Sequence, residues 1–368
     1  MLQRDLNYAM VKTAVNKGIR DILDHPQRGI RNLVDLGEMF ATGPFQQDFF
    51  ALARKALTDP ENRYYQLVEG IVHRSDPEVL TQFGMNLGYQ CWTVNAKEIR
   101  RIESKQGFNV PWCILFELSP GHILAEGLLK ETIRQGKALG IGSYFFLLRD
   151  SASLPAVLQL IRTEPDCAFV LFTDPKAVSA QTADQLLAAA NAWLLLDLTQ
   201  GKGAAAGESI GEKPTGAAHG SAAEAAAVSA EIAAIQILRD KRCLFGGYAP
   251  YTRLTDDAKS LMARCEALGV SVLVLVGQKH RPVISSEEAA AFRQLRTRLP
   301  VPVLPLDLYG DIAQVDRNIS SEACFTLIQG DGTVITTNAD ALDTRTQYRI
   351  TERPLQEIFR RTMKKHQQ

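Results

Sequence analysis

The sequence predicts an α/β fold, and within that class a partial or complete (β/α) barrel in preference to a doubly wound sheet. Three observations carry this. From residue 109 onward, seven short apolar segments alternate with helix-length segments. Strands separated by helices call for a parallel sheet with crossover connections. Ahead of them, residues 1–108 read as helical throughout. Behind them, residues 311–368 change character and show a hairpin signature.

In the helical region, apolar residues recur at helical spacing in Ile19, Ile22 and Leu23, and in Phe49, Phe50, Leu52 and Ala53. Ser75-Asp76-Pro77 opens a further helix, with a capping side chain ahead of a first-turn proline. The expected strands of the central region, 109–310, are Val110–Leu118, Tyr144–Leu148, Ala168–Phe172, Trp193–Leu198, Cys243–Tyr248, Val272–Val276 and Val303–Leu306. Between them, Leu124–Leu139 reads as a helix closed by Gly140, and Leu154–Ile161 as another. Ser179 caps a helix through Ala192, Thr255 caps one ended by Gly269, and Ser285 with Glu288 forms a capping box. About 201–227 is Gly-, Ala-, Ser- and Glu-rich without apolar periodicity, so it reads as a flexible insertion running into a helix at Ala226–Arg239. In the tail, Cys324–Ile328 and Thr333–Thr337 flank Gly330-Asp331-Gly332 as a hairpin, and a last helix runs from about Pro354 to Lys364.

Composition excludes several function classes. Lysine plus arginine total 41 and aspartate plus glutamate total 41, so no net charge draws nucleic acid or an anionic membrane. No apolar run reaches the ~18 residues of a membrane span. Met1–Lys17 is amphipathic and of mixed charge, without an apolar signal core. The six cysteines, Cys91, Cys113, Cys167, Cys243, Cys265 and Cys324, stand at least 22 positions apart, mostly inside apolar runs. They read as reduced, buried thiols, which points to the cytoplasm and away from a metal site. No cofactor is expected from these residues.

Several stretches resemble a known family. Gly107-Phe108-Asn109-Val110-Pro111-Trp112, leading into Ile114-Leu115-Phe116, looks like the approach to the first barrel strand of bacterial radical S-adenosylmethionine (radical SAM) proteins. The likeness continues through Gln135–Gly140, Phe169–Thr173 and Leu306–Asp311. Gly330-Asp331-Gly332-Thr333-Val334 looks like the start of a SPASM-type extension. The resemblance implies a radical-SAM-like (β/α) barrel with an N-terminal helical region and a small C-terminal SPASM-like hairpin remnant.

The departures are sharper than the matches. The family carries a CxxxCxxC cluster loop after the first strand, and here that loop reads Ser119-Pro120-Gly121-His122, with no cysteine. The Gly-Gly-Glu-Pro motif after the second strand is replaced by Asp150-Ser151-Ala152-Ser153. After Val334 the tail reads Ile335-Thr336-Thr337-Asn338, without SPASM-type cysteines. The radical reaction is the cofactor's chemistry, and without cluster ligands the protein cannot supply it. The resemblance therefore implies a pseudoenzyme, acting as a binding or regulatory protein with an unknown protein partner.

In a barrel, functional groups sit at the C-terminal ends of strands. Those positions are Glu117, Arg149, Asp174, Asp197, Tyr248, Gln278 and Asp307. A ring of acids with one arginine could bind a polar ligand or serve a cluster-independent lyase or isomerase; wet, polar strand ends account for the same pattern. The other candidates have plainer readings. Gly201, Gly203 and Gly207 open into low-complexity sequence instead of a helix, so they form no phosphate loop. Cys113 lies mid-strand and reads as core, even with His122 nearby in sequence. His280 and Arg281 read as a solvated loop, and Trp92 and Trp112 as packing at the domain junction.

Overall fold

The computed structural model describes residues 2–41, 44–121, 124–149, 151–199, 220–277, 285–320, 322, 324–337 and 344–364. The chain begins with six α-helices: α1 Leu2–Asp24, α2 Pro26–Phe40, α3 Pro44–Ala56, α4 Arg63–Arg74, α5 Pro77–Gly84 and α6 Ala96–Gln106, with a π-helical stretch Met85–Asn95 before α6. Asp76 caps α5, accepting from the N–H groups of Glu78 and Val79. The alternating part follows: β1 Cys113–Leu118, α7 Glu126–Ala138, β2 Ser143–Leu148, α8 Leu154–Ile161, β3 Ala168–Thr173, α9 Ala180–Ala189, β4 Ala192–Asp197, α10 Gly220–Asp240, β5 Phe245–Tyr251, α11 Leu254–Ala267, β6 Val272–Gly277, α12 Ser286–Thr297, β7 Leu304–Asp307 and α13 Leu308–Ile319. The tail holds β8 Phe325–Gln329, β9 Thr333–Thr337, β10 Thr344–Arg349 and α14 Leu355–Thr362.

The strand order is β10-β9-β8-β1-β2-β3-β4-β5-β6-β7. Strands β1 to β7 are parallel and in sequence order, and β8 lies parallel to β1. The order is that of a ring cut once, between β7 and β8, which makes this an open (β/α) barrel. A doubly wound sheet would reverse its order partway. β9 and β10 extend the β8 edge as an antiparallel meander.

Several boundaries differ from the sequence reading, each for a local reason. The first strand starts at Cys113 and not at Val110, because the N–H groups of Val110 and Trp112 are taken by the carboxylates of Glu103 and Asp316. The fifth starts at Phe245, because the N–H of Cys243 closes α10 on Leu238 O. Helix α11 starts at Leu254 with Arg253 as its cap, so Thr255 is helical; the Asp257 carboxylate accepts from the N–H groups of Thr252 and Arg253. Ser285 accepts from the Glu288 N–H as the capping box requires. Most of the 201–227 stretch lies outside the described residues, and α10 begins at Gly220.

The N-terminal helices pass under the barrel. Tyr64 OH, on α4, donates to Arg296 O ahead of β7. Arg74 at the end of α4 reaches Ser271 ahead of β6, and the Asp76 N–H donates to Arg242 O ahead of β5. Phe83 of α5 meets Trp193 of β4 edge to face. In the π-helical stretch, Asn86 donates to Pro165 O and Cys167 O ahead of β3, while Cys91 and Asn95 crowd Gly142 ahead of β2. Arg100 of α6 donates to Ile319 O ahead of β8. The chain thus walks the N-terminal strand ends from β7 back to β1 and seals that end. Helices α1, α2 and α4 keep a small core of their own around Ile19, Ile22, Ile30, Tyr65 and Val72.

Candidate site at the C-terminal strand ends

The C-terminal strand ends lie opposite the N-terminal helices, and the pleat decides which side chains face inward. Tyr144 of β2 is fully buried and its OH donates to Ile133 O of α7 and to Ile141 O. Its face of the sheet is therefore the helix-covered one. Phe116, Phe146 and Phe169 stack with it on that face. Side chains alternate along a strand, so Leu147 of β2 points to the interior. Register then carries the interior face around the sheet: Glu117 pairs with Leu147, Leu147 with Phe172, Phe172 with Leu195, and Asp197 with Tyr248. Arg149 and Asp174 lie two residues beyond Leu147 and Phe172, so they share this face.

Five of the seven sequence candidates, Glu117, Arg149, Asp174, Asp197 and Tyr248, therefore fall on one face at the ends of β1 to β5. Arg149 donates from Nε and Nη2 to Glu117 Oε1, at 3.2 and 3.1 Å. Glu117 is mostly shielded and Arg149 about half exposed. Asp197 Oδ1 accepts from the N–H and OH of Thr199, and Asp174 Oδ1 accepts from the Lys176 N–H. Tyr248 is buried with its ring 5.2 Å from that of Phe172. Burial, then Asp197 and Asp174, push its phenol above the usual range, against the opposing pull of Arg149. Further round, the same register row is apolar: Tyr248 pairs with Val274, and Val274 with Leu306. Among the described residues this row is polar from Arg149 to Tyr248 and apolar at Val274 and Leu306.

Asp307 is not part of it. It follows Leu306, so it faces the helix-covered side, where it is buried 3.5 Å from the OH of Tyr251. Its backbone N–H donates to Asp311, which is itself paired with Arg296 at 2.7 Å. Gln278, together with His280 and Arg281, lies outside the described residues, as does His122.

Sequence reading missed two acids at the sealed end. Glu103 and Asp316 are buried and hold the approach to β1, with Glu103 also accepting from the Ser320 hydroxyl. Burial raises the Asp316 carboxyl well above its ordinary range. Each acid sits singly in a helix, so no motif marks it.

The resemblance implies an iron–sulfur cluster, and the thiols present do not fit one. All six cysteines are buried and free. Burial first, with nearby acids or thiols adding in every case, pushes Cys91, Cys113 and Cys324 well up, and Cys167, Cys243 and Cys265 up to about 12. A cluster ligand must be a thiolate on an accessible loop, and the β1–α7 connection, 119–125, holds no cysteine. Among the described residues, no three His, Cys, Asp or Glu side chains group as metal ligands.

No protein-family model matches the sequence, and no curated protein does. Solved structures do. SuiB of Streptococcus suis, bound to the precursor peptide SuiA, is 11% identical, with 70% of this chain and 67% of SuiB covered at a TM-score of 0.43. Native anSMEcpe with bound AdoMet and the Kp18Cys peptide is 9% identical, covering 67% of this chain and 80% of that one at 0.42. The Escherichia coli coproporphyrinogen III oxidase HemN is 10% identical, covering 62% and 65% at 0.30. Of these three similar structures, HemN is a radical SAM enzyme and anSMEcpe holds AdoMet.

Proposed function

We propose that this protein is a cluster-free pseudoenzyme on a radical-SAM-like barrel, acting in the cytoplasm as a binding or regulatory protein. The observation that carries the reading is the donor set: six separated, buried thiols and a first loop without cysteine. Anaerobic reconstitution with iron and sulfide tests it. Iron per chain should stay at background with no cluster absorption in the visible; stoichiometric iron with that absorption overturns it.

The mouth supports a small-molecule binder over a cluster-independent lyase or isomerase. Acid–base work needs carboxylates poised at a shared point. Here Glu117 is paired with Arg149, Asp174 and Asp197 each hold their own turns, and Asp307 faces away. A polar half beside an apolar half suits a ligand with both characters. Titrations with S-adenosylmethionine and S-adenosylhomocysteine test whether the nucleoside site persists, and absence of heat at millimolar ligand removes that ligand. Among the described residues no helix is long and apolar enough to cross a membrane. The protein partner is sought by co-purification from the native cell, with the chain itself as bait.

A further inference from the structure

Three arginines gather at the sealed end, far from the mouth. Arg74 closes α4, Arg239 lies in the last turn of α10, and Arg242 follows that helix. The turn from α11 to β6 receives two of them: Arg239 Nη2 donates to Leu268 O at 2.6 Å, and Arg74 Nη2 donates to Ser271 Oγ. Arg242 Nη2 donates at 2.9 Å to the carbonyl of Ser75, next to Arg74. Gly269 in the middle of this turn has φ +66°, and a Cβ there would press on the Arg239 guanidinium.

Every one of these acceptors is a neutral oxygen. Among the described residues no carboxylate pairs with Arg74, Arg239 or Arg242, although fourteen other basic residues do find an acid. The Nε–H of Arg239 is shielded from solvent and finds no acceptor. Arg74 is also held below the ordinary arginine range, by burial first and by the like charge of Arg239 second. Like charges held together at a half-buried joint, with a donor left over, are costly unless an anion joins them.

We propose that Arg74 and Arg239, with Arg242 at the rim, bind a phosphate group, free or as a monoester. A guanidinium fork matches phosphate oxygens in geometry and charge, and a dianion cancels the repulsion between the two arginines. The site joins Arg74 of the N-terminal helices to Arg239 of the barrel. Phosphate binding would therefore fasten the helical cover onto the strand ends, coupling anion level to the rigidity of the sealed end.

The test is calorimetric titration of the full chain with inorganic phosphate, in sodium chloride adjusted to constant ionic strength. Saturable 1:1 binding is expected, about tenfold or more weaker in both Arg74→Gln and Arg239→Gln. Arg101→Gln, an exposed α6 arginine paired with Glu98, should bind as wild type does. A parallel titration with glycerol phosphate separates the sources: tighter binding than phosphate assigns a monoester, equal or weaker binding assigns the free ion. If wild type responds to phosphate no more than to chloride, or if both variants bind as it does, the proposal is wrong. Should one variant fail to fold, wild type and the other decide.

Discussion

Arg149, just past the end of β2, reaches back to Glu117 on β1, with its Nη2 3.1 Å from Oε1. The register places Glu117 beside Leu147, two residues before Arg149, so the pair runs diagonally across the mouth between adjacent strands. Arg149 is 45% exposed and Glu117 14%. An ion pair with one wet partner contributes little to folding. Glu117→Gln should therefore change the free energy of urea unfolding by less than about 1 kcal/mol. A loss of several kcal/mol would assign the pair to the scaffold and not to the mouth.

Tyr248 lies one layer further out, beside Asp197 in the register. Its phenol is buried, and the acids around it disfavour the tyrosinate. Tyr248→Phe keeps the ring against Phe172 and removes only the hydroxyl. The expected cost is about 1 kcal/mol in chemical denaturation, the usual net worth of one hydrogen bond. A stabilised variant would mean that the hydroxyl gains nothing from Asp197.

Sequence made the seven barrel strands legible because each is a short, mostly buried apolar run set between helix-length segments. Ser179 and Ser285 cap their helices as their spacing implied. Strand β10, Thr-Arg-Thr-Gln-Tyr-Arg, was illegible because an edge strand of polar residues has no apolar period. The position of β8 was also hidden: nothing local in Phe325–Gln329 says that it pairs with β1, more than 200 residues earlier. At the mouth, strand-end position alone found the five inward residues. It failed at Asp307 because it takes no account of pleat parity, which one residue inverts.

Helix α9 is capped at its C-terminus by Ala190, whose φ of 55° lies in the left-handed region. Its N–H still closes the helix on Leu186 O at 3.1 Å. An L-residue there is strained by roughly 1–2 kcal/mol, which glycine escapes, partly offset by the greater freedom of glycine in the unfolded chain. Ala190→Gly should therefore stabilise the fold by about 0.5–1 kcal/mol, read as a higher urea midpoint at unchanged slope. A lower midpoint would contradict the assignment of strain to this turn.

The helix-covered side of β7 carries a titration that stability should report. Asp307 is 3% exposed, and burial, reinforced by the neighbouring Asp311, pushes its carboxyl up to about 7. Arg296 pulls the other way but is itself paired with Asp311, and the Gly310 N–H and Tyr251 OH offer only neutral donors. Below the ordinary carboxyl range both folded and unfolded chains hold the proton, and the group costs nothing. As pH rises from about 4 to about 7 the unfolded chain ionises first, so folding stability falls across that window and levels off above it. The loss is on the order of 4 kcal/mol. Asp307→Asn keeps an acceptor for the Gly310 N–H but cannot ionise. Its unfolding free energy, measured by urea titration at half-unit steps, should lack this fall, so the variant gains on wild type toward pH 8. Parallel curves for the two proteins would show that Asp307 ionises in the folded state as readily as in the unfolded chain.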